Sequence, residues 1–312
     1  MKILFFGSDN FAIASLKLLS QKKQDISIIG VVTKPDRKKG RGLKVIPLEI
    51  KTVALELGIN VYQPEKLKDE AISYIKSLAP ELIVVVAYGG ILPKKILEIP
   101  TRGCVNLHSS LLPQLRGAGA ITYSITRGYT HTGVTTMYMN EAMDAGDIIS
   151  QKKVEIKPED TAGTLREKLS KEGAELLYYT LQNIKENKVV ATRQDDSKVT
   201  YAPLLKKEDG LIDWDKSAEE IFNLVRGLNP WPSAYTHLNG KMFKIHKAQI
   251  LQLGDAKTNS GEIIEVDKNN LVVATGEGDL SLLEVQIEGK RKMSIQDFLQ
   301  GHKLEKGMRF SE

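Results

Sequence analysis

The chain has 312 residues, of which 41% are hydrophobic and 27% are charged, so its composition indicates a soluble globular protein and excludes a disordered or fibrous one. Its single cysteine, Cys104, excludes an internal disulfide and a cysteine-based metal cluster, and we interpret it as a small buried residue. The formal net charge of +5 is concentrated in one stretch, between Lys34 and Lys44.

The chain shows no pattern of a membrane protein. Its longest apolar run, residues 82–92, is far shorter than the roughly 20 residues of a membrane-spanning helix. The apolar start of the chain is also too short for a signal peptide. We therefore expect a cytoplasmic protein without a membrane partner.

The first part of the chain alternates patterns that are typical of strands and helices. Strand patterns cover residues 2–6, 26–32 and 82–87, and the last of these is apolar on both faces, as a central parallel strand is. This alternation predicts an α/β fold with a doubly wound, mostly parallel Rossmann-like sheet and a site at the carboxyl ends of its strands. The spacing G-x-G-x-x-G is absent, so we do not expect NAD binding.

A basic stretch follows the second predicted strand. It contains one acid, Asp36, and the basic residues Lys34, Arg37, Lys38, Lys39, Arg41 and Lys44. Such a run is most often a solvated surface. Because glycines flank Arg41, the stretch also suits a flexible contact with a phosphate backbone, and both interpretations stay open.

The segment 103–113 combines a short apolar strand pattern with two residues that can carry chemistry. Asn106 and His108 lie two positions apart, so on an extended chain both side chains leave the same face while Leu107 points the other way. An asparagine amide can donate a hydrogen bond to a developing oxyanion, and a histidine can move a proton near neutral pH. An isolated histidine of this kind is more often a buried structural residue, so the context has to decide.

Two further loops follow strand patterns. The uncharged loop at residues 88–93 is either a simple turn or an apolar wall whose backbone groups contact a flat heterocycle. The loop after the predicted strand at residues 132–139 carries Asp144 and Asp147 beside Gly146. These carboxylates are either turn formers or include one that orients His108.

The last part of the chain predicts a second fold. An amphipathic helix starts at Thr161, a polar linker follows it, and Ser217 and Glu220 form a capping box before another helix. Five short alternating runs then lie between residues 234 and 286, which predicts a small β-barrel. We place the first domain at residues 1–189, the linker at 190–206 and the barrel domain at 207–312.

Several motifs in this order resemble those of the 10-formyltetrahydrofolate-dependent formyltransferases. They are Asn106-x-His108, Ser110-Leu111-Leu112-Pro113, Arg116-Gly117, Thr132-Gly133-Val134-Thr135, Asp144-x-Gly146-Asp147, Tyr88-Gly89, Ile91-Leu92-Pro93, Gly40-Arg41-Gly42 and Asn229-Pro230-Trp231-Pro232. The resemblance covers nearly the whole chain. It departs at the first turn, where Ser8, Asp9 and Asn10 stand in place of the usual Thr-Pro-acid residues.

The resemblance implies formyl transfer from 10-formyltetrahydrofolate to the α-amine of methionyl initiator tRNA, without a metal, by a monomer. It implies the catalytic triad Asn106, His108 and Asp144. The implied folate contacts are Tyr88, Gly89, Ile91, Leu92, Ser110, Leu111, Leu112, Pro113, Met139 and Asn140. The implied tRNA contacts are Arg37, Lys38, Lys39, Arg41 and Lys44, with an OB-like barrel as further support for the tRNA.

Three alternatives stay open. The same chemistry can act on another amine, such as that of an amino-sugar nucleotide. A glycinamide ribonucleotide formyltransferase fits less well, because such a chain would end near the linker. A catalytically silent RNA-binding protein would keep the fold, and it would bind tRNA without turnover.

Overall fold

The structure, a computed structural model, describes residues 1–39, 44–251 and 259–311. The chain forms two compact units. The first holds Met1–Ala120, His131–Glu155 and Arg166–Pro203, and the second holds Ile121–Thr130, Ile156–Leu165 and Leu204–Glu312. The domain boundaries at 189 and 206 stay predictions.

The first part of the chain follows the predicted alternation of strands and helices. Its elements are β1 (Lys2–Gly7), α1 (Phe11–Gln21), β2 (Ser27–Val32), β3 (Arg37–Lys39), β4 (Lys44–Ile46), α2 (Glu49–Glu56), β5 (Val61–Tyr62), α3 (Asp69–Ser77), β6 (Leu82–Val86), α4 (Lys94–Leu97), β7 (Cys104–His108), α5 (Ala120–Thr126), β8 (His131–Tyr138), β9 (Ile148–Glu155) and α6 (Ala162–Lys185). Seven of the strands form one sheet in the order β5-β2-β1-β6-β7-β8-β9.

The sheet confirms the predicted fold class. Strands β5, β2, β1, β6 and β7 are parallel, and β8 and β9 add an antiparallel edge. Every residue of β6 is buried, as expected for a central strand covered on both faces. The carboxyl ends of β1, β2 and β6 therefore point in the same direction, and the loops after these strands lie side by side at that end of the sheet.

In the first part of the chain, two of the observed strand pairs were not predicted. Within the basic stretch, β3 pairs with β4 antiparallel. Strand β9 pairs with β8 along the edge of the main sheet. Only Val154 of β9 is buried, so this edge strand lacks the alternation that marks a half-buried strand.

The second unit contains the predicted antiparallel strands. Its elements are α7 (Ala218–Gly227), β10 (Ala234–Leu238), β11 (Lys241–Leu251), β12 (Ile263–Val266), β13 (Leu271–Ala274), β14 (Asp279–Ile287), β15 (Met293–Ser294) and α8 (Ile295–Gly301). The capping box of Ser217 and Glu220 is present at the start of α7. The sheet order is β10-β11-β14-β13-β12, with β15 beside β14.

The end of the chain connects the two edges of this sheet. Ser311 exchanges backbone hydrogen bonds with His237 in β10, at 2.9 and 3.1 Å. Phe310 donates from its backbone N–H to Gly261, just before β12, at 2.9 Å. The Phe310 side chain is buried in the core of the unit. The β-sheet is thereby closed by a short terminal segment, in agreement with the predicted barrel.

Candidate active site

Asn106 and His108 share one face of β7, as the alternation predicted. Leu107 points to the other face, where it lies so close to α6 that a Cβ on Gly173 would be 2.9 Å from Leu107 Cδ2. His108 is buried and Asn106 is half-buried. The Asn106 amide makes no hydrogen bond with any residue that the structure describes. Its N–H donors are therefore available to a substrate.

Both nitrogens of the His108 imidazole face oxygen acceptors. Nε2 lies 3.0 Å from the Leu115 carbonyl oxygen, which can only accept a hydrogen bond, so Nε2 carries a proton in this arrangement. Nδ1 lies 3.6 Å from Asp144 Oδ2, slightly beyond hydrogen-bond distance. Of the two acidic candidates in this loop, Asp144 is thus the one beside His108, and Asp147 is exposed to solvent.

The two acceptors beside His108 lie on residues with left-handed backbone. Leu115 has a φ of 59° and Asp144 has a φ of 51°. Such angles are uncommon in residues other than glycine, and they cluster at functional sites where the surrounding structure enforces them. At Asp144 that support includes the backbone N–H of Gly117, which donates to Asp144 Oδ2 at 2.9 Å. The carboxylate is therefore held in place before any substrate binds.

The apolar loop after β6 divides into a buried and an exposed part. Tyr88 and Leu92 are buried, and the edge of the Tyr88 ring packs on Phe6 at a centroid distance of 5.2 Å. Burial raises the pKa of the Tyr88 hydroxyl above its ordinary value. Ile91 is 84% exposed, and the Gly89 carbonyl accepts a hydrogen bond from the Lys34 side chain. The apolar side chain of Ile91 is thus accessible to a ligand at this loop.

A cleft of about 460 Å³ lies beside this loop. It is lined by residues 34–36, 64–67, 88, 90 and 91, which belong to the loops after β2, β5 and β6. Its position at the carboxyl ends of parallel strands is where α/β folds bind ligands. Within the described part of the chain, the three triad residues lie outside the lining of this cleft.

The other predicted folate contacts lie after β7 and β8. Ser110 and Leu112 are buried and take part in the loop's own structure: Ser110 Oγ donates to the Gln114 carbonyl at 2.6 Å, and the Leu112 N–H donates to Thr135 Oγ1 at 3.2 Å. The Leu112–Pro113 peptide bond is cis, and Leu111 packs against Gly133. Met139 is half-buried, and exposed Asn140 accepts a hydrogen bond from the Ala142 N–H at 3.0 Å. Their folate contacts stay predictions.

The structure also adds residues that the sequence did not indicate. The Asp144 loop is connected to the segment after α6 by Gln194, Arg116 and Gly117, although the polar composition of this segment predicts a linker. Arg116 and Gly117 were noted only as part of a motif. Gln194 carried no sequence signal, because a buried polar side chain in a polar segment lacks hydrophobic periodicity.

The predicted tRNA contacts remain predictions. Arg41 lies outside the described residues, as do its neighbours at 40, 42 and 43. Arg37, Lys38 and Lys39 belong to β3, and Lys44 begins β4. Val45 and Ile46 in β4 are 60% and 46% exposed.

Cys104 is a buried residue on β7, as we interpreted it. It is 3% exposed, and burial raises the pKa of its thiol to about 12. We expect a thiol reagent such as DTNB to leave the folded protein unlabelled at pH 8, because the reactive thiolate is scarce and covered. The unfolded protein should bind one equivalent. Rapid labelling without denaturant would contradict this expectation.

Residues 1–39, 44–251 and 259–311 contain no candidate metal-binding cluster and no helix that could span a membrane. No three His, Cys, Asp or Glu side chains come together there as metal ligands would. None of the helices in the same ranges has the length and apolar character needed to cross a membrane.

Comparison with solved structures supports the fold. WlaRD, a sugar 3N-formyl transferase solved in the presence of dTDP and 5-N-formyl-THF, superposes with a TM-score of 0.67. The two chains are 20% identical, and the match covers 93% of this chain and 99% of WlaRD. At that identity the likeness concerns the fold alone.

Sequence comparison identifies the family. The family model described as "Formyl transferase" matches residues 1–181, and "Formyl transferase, C-terminal domain" matches residues 204–303. The methionyl-tRNA formyltransferase of Thermodesulfovibrio yellowstonii is 48% identical over 307 residues, covering 98% of this chain and 97% of its own. That of Geobacter metallireducens is 44% identical over 311 residues, covering 99% and 98%. The chain therefore belongs to the formyl transferase family, in its methionyl-tRNA formyltransferase branch.

Proposed function

We propose that this chain transfers the formyl group of 10-formyltetrahydrofolate to the α-amine of methionyl initiator tRNA, in the cytoplasm and as a monomer. The observation that carries the chemistry is the Asn106 amide, which makes no hydrogen bond with the described residues and lies on the same strand face as His108, whose Nδ1 is 3.6 Å from Asp144 Oδ2. Full-length relatives with 44% and 48% identity support the choice of methionyl-tRNA as the acceptor.

The folate donor supplies the formyl group, and the apolar loop after β6 fits a flat pterin ring. Within this loop the side chains of Tyr88 and Leu92 are buried, while that of Ile91 remains accessible. The adjoining cleft of about 460 Å³ lies within the range of about 300–1,000 Å³ that is usual for small-molecule sites. Tyr88, Gly89, Ile91 and Leu92 would hold the pterin, with the segment Ser110 to Pro113 and residues Met139 and Asn140 completing the site.

In the transfer step, Asn106 donates a hydrogen bond to the formyl oxygen as the methionyl amine attacks the carbonyl carbon. The negative charge that develops on this oxygen is greatest in the transition state, so the interaction lowers the barrier. His108 and Asp144 take the proton that the amine loses, directly or through water, and return it to the nitrogen of the departing folate. For His108 to donate to the formyl oxygen as well, one ring nitrogen has to leave its present acceptor.

Asp36 lies directly before β3, at the base of the strand pair β3–β4. This carboxylate accepts hydrogen bonds from the Lys51 side chain at 2.6 Å, from Gln63 at 2.9 Å and from the Leu48 N–H at 3.3 Å. The bond from Lys51 is the main reason that the pKa of Asp36 lies below its ordinary value. An ionised Asp36 thus fixes the base of this strand pair. We propose that the basic residues of the stretch contact the tRNA, namely Arg37, Lys38, Lys39, Arg41 and Lys44.

The test of this function is a formylation assay with three acceptors. Purified protein and 10-formyltetrahydrofolate are incubated with initiator methionyl-tRNA, elongator methionyl-tRNA or an amino-sugar nucleotide. We expect a strong preference for the initiator. Transfer only to the sugar would retain the triad chemistry and contradict the acceptor, while tRNA binding without transfer to any acceptor would favour a catalytically silent RNA-binding protein.

Replacement of Arg41 tests the tRNA contact separately. We expect Arg41→Ala to raise the KM for tRNA. We also expect the plot of log K against log salt concentration to become less steep by about one, because one fewer phosphate is neutralised. KM and kcat are measured between low and moderate salt. The control is Lys23→Ala. This exposed lysine precedes β2, so it lies near the amino-terminal end of that strand, whereas the basic stretch follows its carboxyl end. An unchanged slope for Arg41→Ala would contradict the contact.

A further inference from the structure

Gln194 holds the backbone of the turn that carries Asp144. Its side chain is 5% exposed, and its Nε2 donates to the carbonyl oxygens of Asp144 and Gly146, each at 2.8 Å. These two bonds use both N–H groups of the amide. The turn is tightly packed here, since a Cβ on Gly146 would be 1.7 Å from the Tyr138 carbonyl oxygen.

Arg116 fixes the other end of the Gln194 amide. Gln194 Oε1 accepts hydrogen bonds from Arg116 Nε at 3.0 Å and from Arg116 Nη2 at 2.8 Å. The guanidinium group only donates, and the backbone carbonyls only accept, so the amide has a single orientation that satisfies all four contacts. Arg116 is itself buried, with 6% exposure. Gln194 is therefore a fully bonded bridge inside the protein.

The same network reaches the Asp144 carboxylate by a second route. The backbone of Arg116 donates to the Thr200 carbonyl at 2.9 Å and accepts from the Ala202 N–H at 2.8 Å. The next residue, Gly117, donates to Asp144 Oδ2. Asp144 is thus held at its backbone by Gln194 and at its carboxylate by Gly117, and Arg116 links the two supports.

We infer that Gln194 is a positioning residue for the formyl transfer, which acts by holding Asp144 against the His108 imidazole. The inference rests on the proposed function and extends it to a residue that touches neither substrate. Asp144 Oδ2 is already 3.6 Å from His108 Nδ1, so a small displacement of the turn would separate the pair. Displacements of about 1 Å in an active site can cost roughly a hundredfold in rate.

Two substitutions of Gln194 separate its donor and acceptor roles. Gln194→Glu keeps the acceptor for Arg116 but sets a carboxylate oxygen against the carbonyls of Asp144 and Gly146. Gln194→Met removes both roles with little change in side-chain length. We expect each variant to lower kcat by about 10- to 100-fold and to leave the KM values for folate and tRNA within about threefold, because binding groups are untouched.

The matched control is Gln182→Met, which makes the same chemical change in α6. The Gln182 amide donates to Asp25 at 3.2 Å and also contacts the Tyr178 hydroxyl. We expect its kcat to stay within about twofold of wild type, because its contacts are with Asp25 and Tyr178 and not with the triad. Melting temperatures of all variants show how much each substitution affects the fold.

A second readout follows His108 without any turnover. With ¹⁵N-labelled histidine, the ring signals of the five histidines report which nitrogen carries a proton, and a His108→Gln variant assigns the signals of His108. Gln194→Glu should move the His108 signals and leave the other four in place. Gln182→Met should move none of them.

The combined outcomes distinguish this inference from the proposed function. A fall in kcat at constant KM, together with displaced His108 signals, supports the positioning role. Wild-type kcat in both Gln194 variants, or an equal loss of kcat in Gln182→Met, overturns it. If the wild-type protein does not formylate initiator methionyl-tRNA, the proposed function fails, and the His108 signals alone decide: displacement supports the positioning role and unchanged signals overturn it.

Discussion

Asn106→Ala is expected to give a folded protein with kcat lowered by about a hundred- to a thousandfold, the usual loss when one oxyanion donor is removed. The Asn106 side chain makes no hydrogen bond with the described residues, so its removal leaves no protein group without a partner. Asn106 is also only half-buried, which limits the cavity that alanine would create. Its loss should therefore affect turnover far more than stability.

A second variant and a control complete this test. Asn106→Asp keeps the size of the side chain, removes the N–H donors and adds a negative charge near the formyl oxygen, so its kcat should fall at least as far. Asn270→Ala removes an amide that bonds Asp267 in the turn between β12 and β13, at 3.0 Å, and should leave kcat unchanged. Single-turnover rates and melting curves are the measurements. Near wild-type rates in both Asn106 variants would contradict a role as oxyanion donor.

Sequence alternation was sufficient to predict which face of the strand β7 carries the site residues. The period of two placed Asn106 and His108 on one face of β7, and the structure has them so, with Leu107 against Gly173 on the other face. Composition also predicted the buried state of Cys104. Local patterns work in such places because a strand with both faces covered leaves little choice of register.

The partner of His108 was harder to choose from residue types alone. Asp144 and Asp147 lie in the same loop, and spacing gave no reason to prefer one. The choice of Asp144 came from the family resemblance, and the structure brings Asp144 within 3.6 Å of the imidazole. What decides the geometry is the left-handed backbone at Asp144, with a φ of 51°, and its bond from the Gly117 N–H. Such long-range contacts have no periodic signature.

The segment after α6 shows the same limitation on a larger scale. Its polar composition suggested a linker, yet Thr192 exchanges backbone hydrogen bonds with Ile148 at 2.8 Å, and Gln194 is buried. A Cβ on Gly117 would be 2.5 Å from the Ala202 carbonyl oxygen, so this segment also packs closely against the loop after β7. Polar contacts hold the segment, and sequence patterns that rely on apolar residues miss them.

Asp144→Asn is the second substitution with a large expected effect. Asparagine has nearly the same shape and can still accept the bond from the Gly117 N–H through its carbonyl oxygen, so the loop should keep its conformation. It carries no charge, however, and cannot stabilise a protonated His108 or take part in proton transfer. We expect kcat to fall by about 10²- to 10⁴-fold, the range for loss of a group that assists proton transfer.

The neighbouring carboxylate supplies the control for this substitution. Asp147→Asn removes the same charge from the same loop, but Asp147 is exposed, and its structural contact is a backbone carbonyl that accepts the Tyr138 N–H at 2.9 Å. Its kcat should stay within about twofold of wild type, because an exposed charge at this position is strongly screened. A loss shared equally by both variants would mean that the negative potential of the whole loop matters. A loss confined to Asp144→Asn would locate the effect in the pair that Asp144 forms with His108, since Asp144 Oδ2 lies 3.6 Å from the imidazole Nδ1.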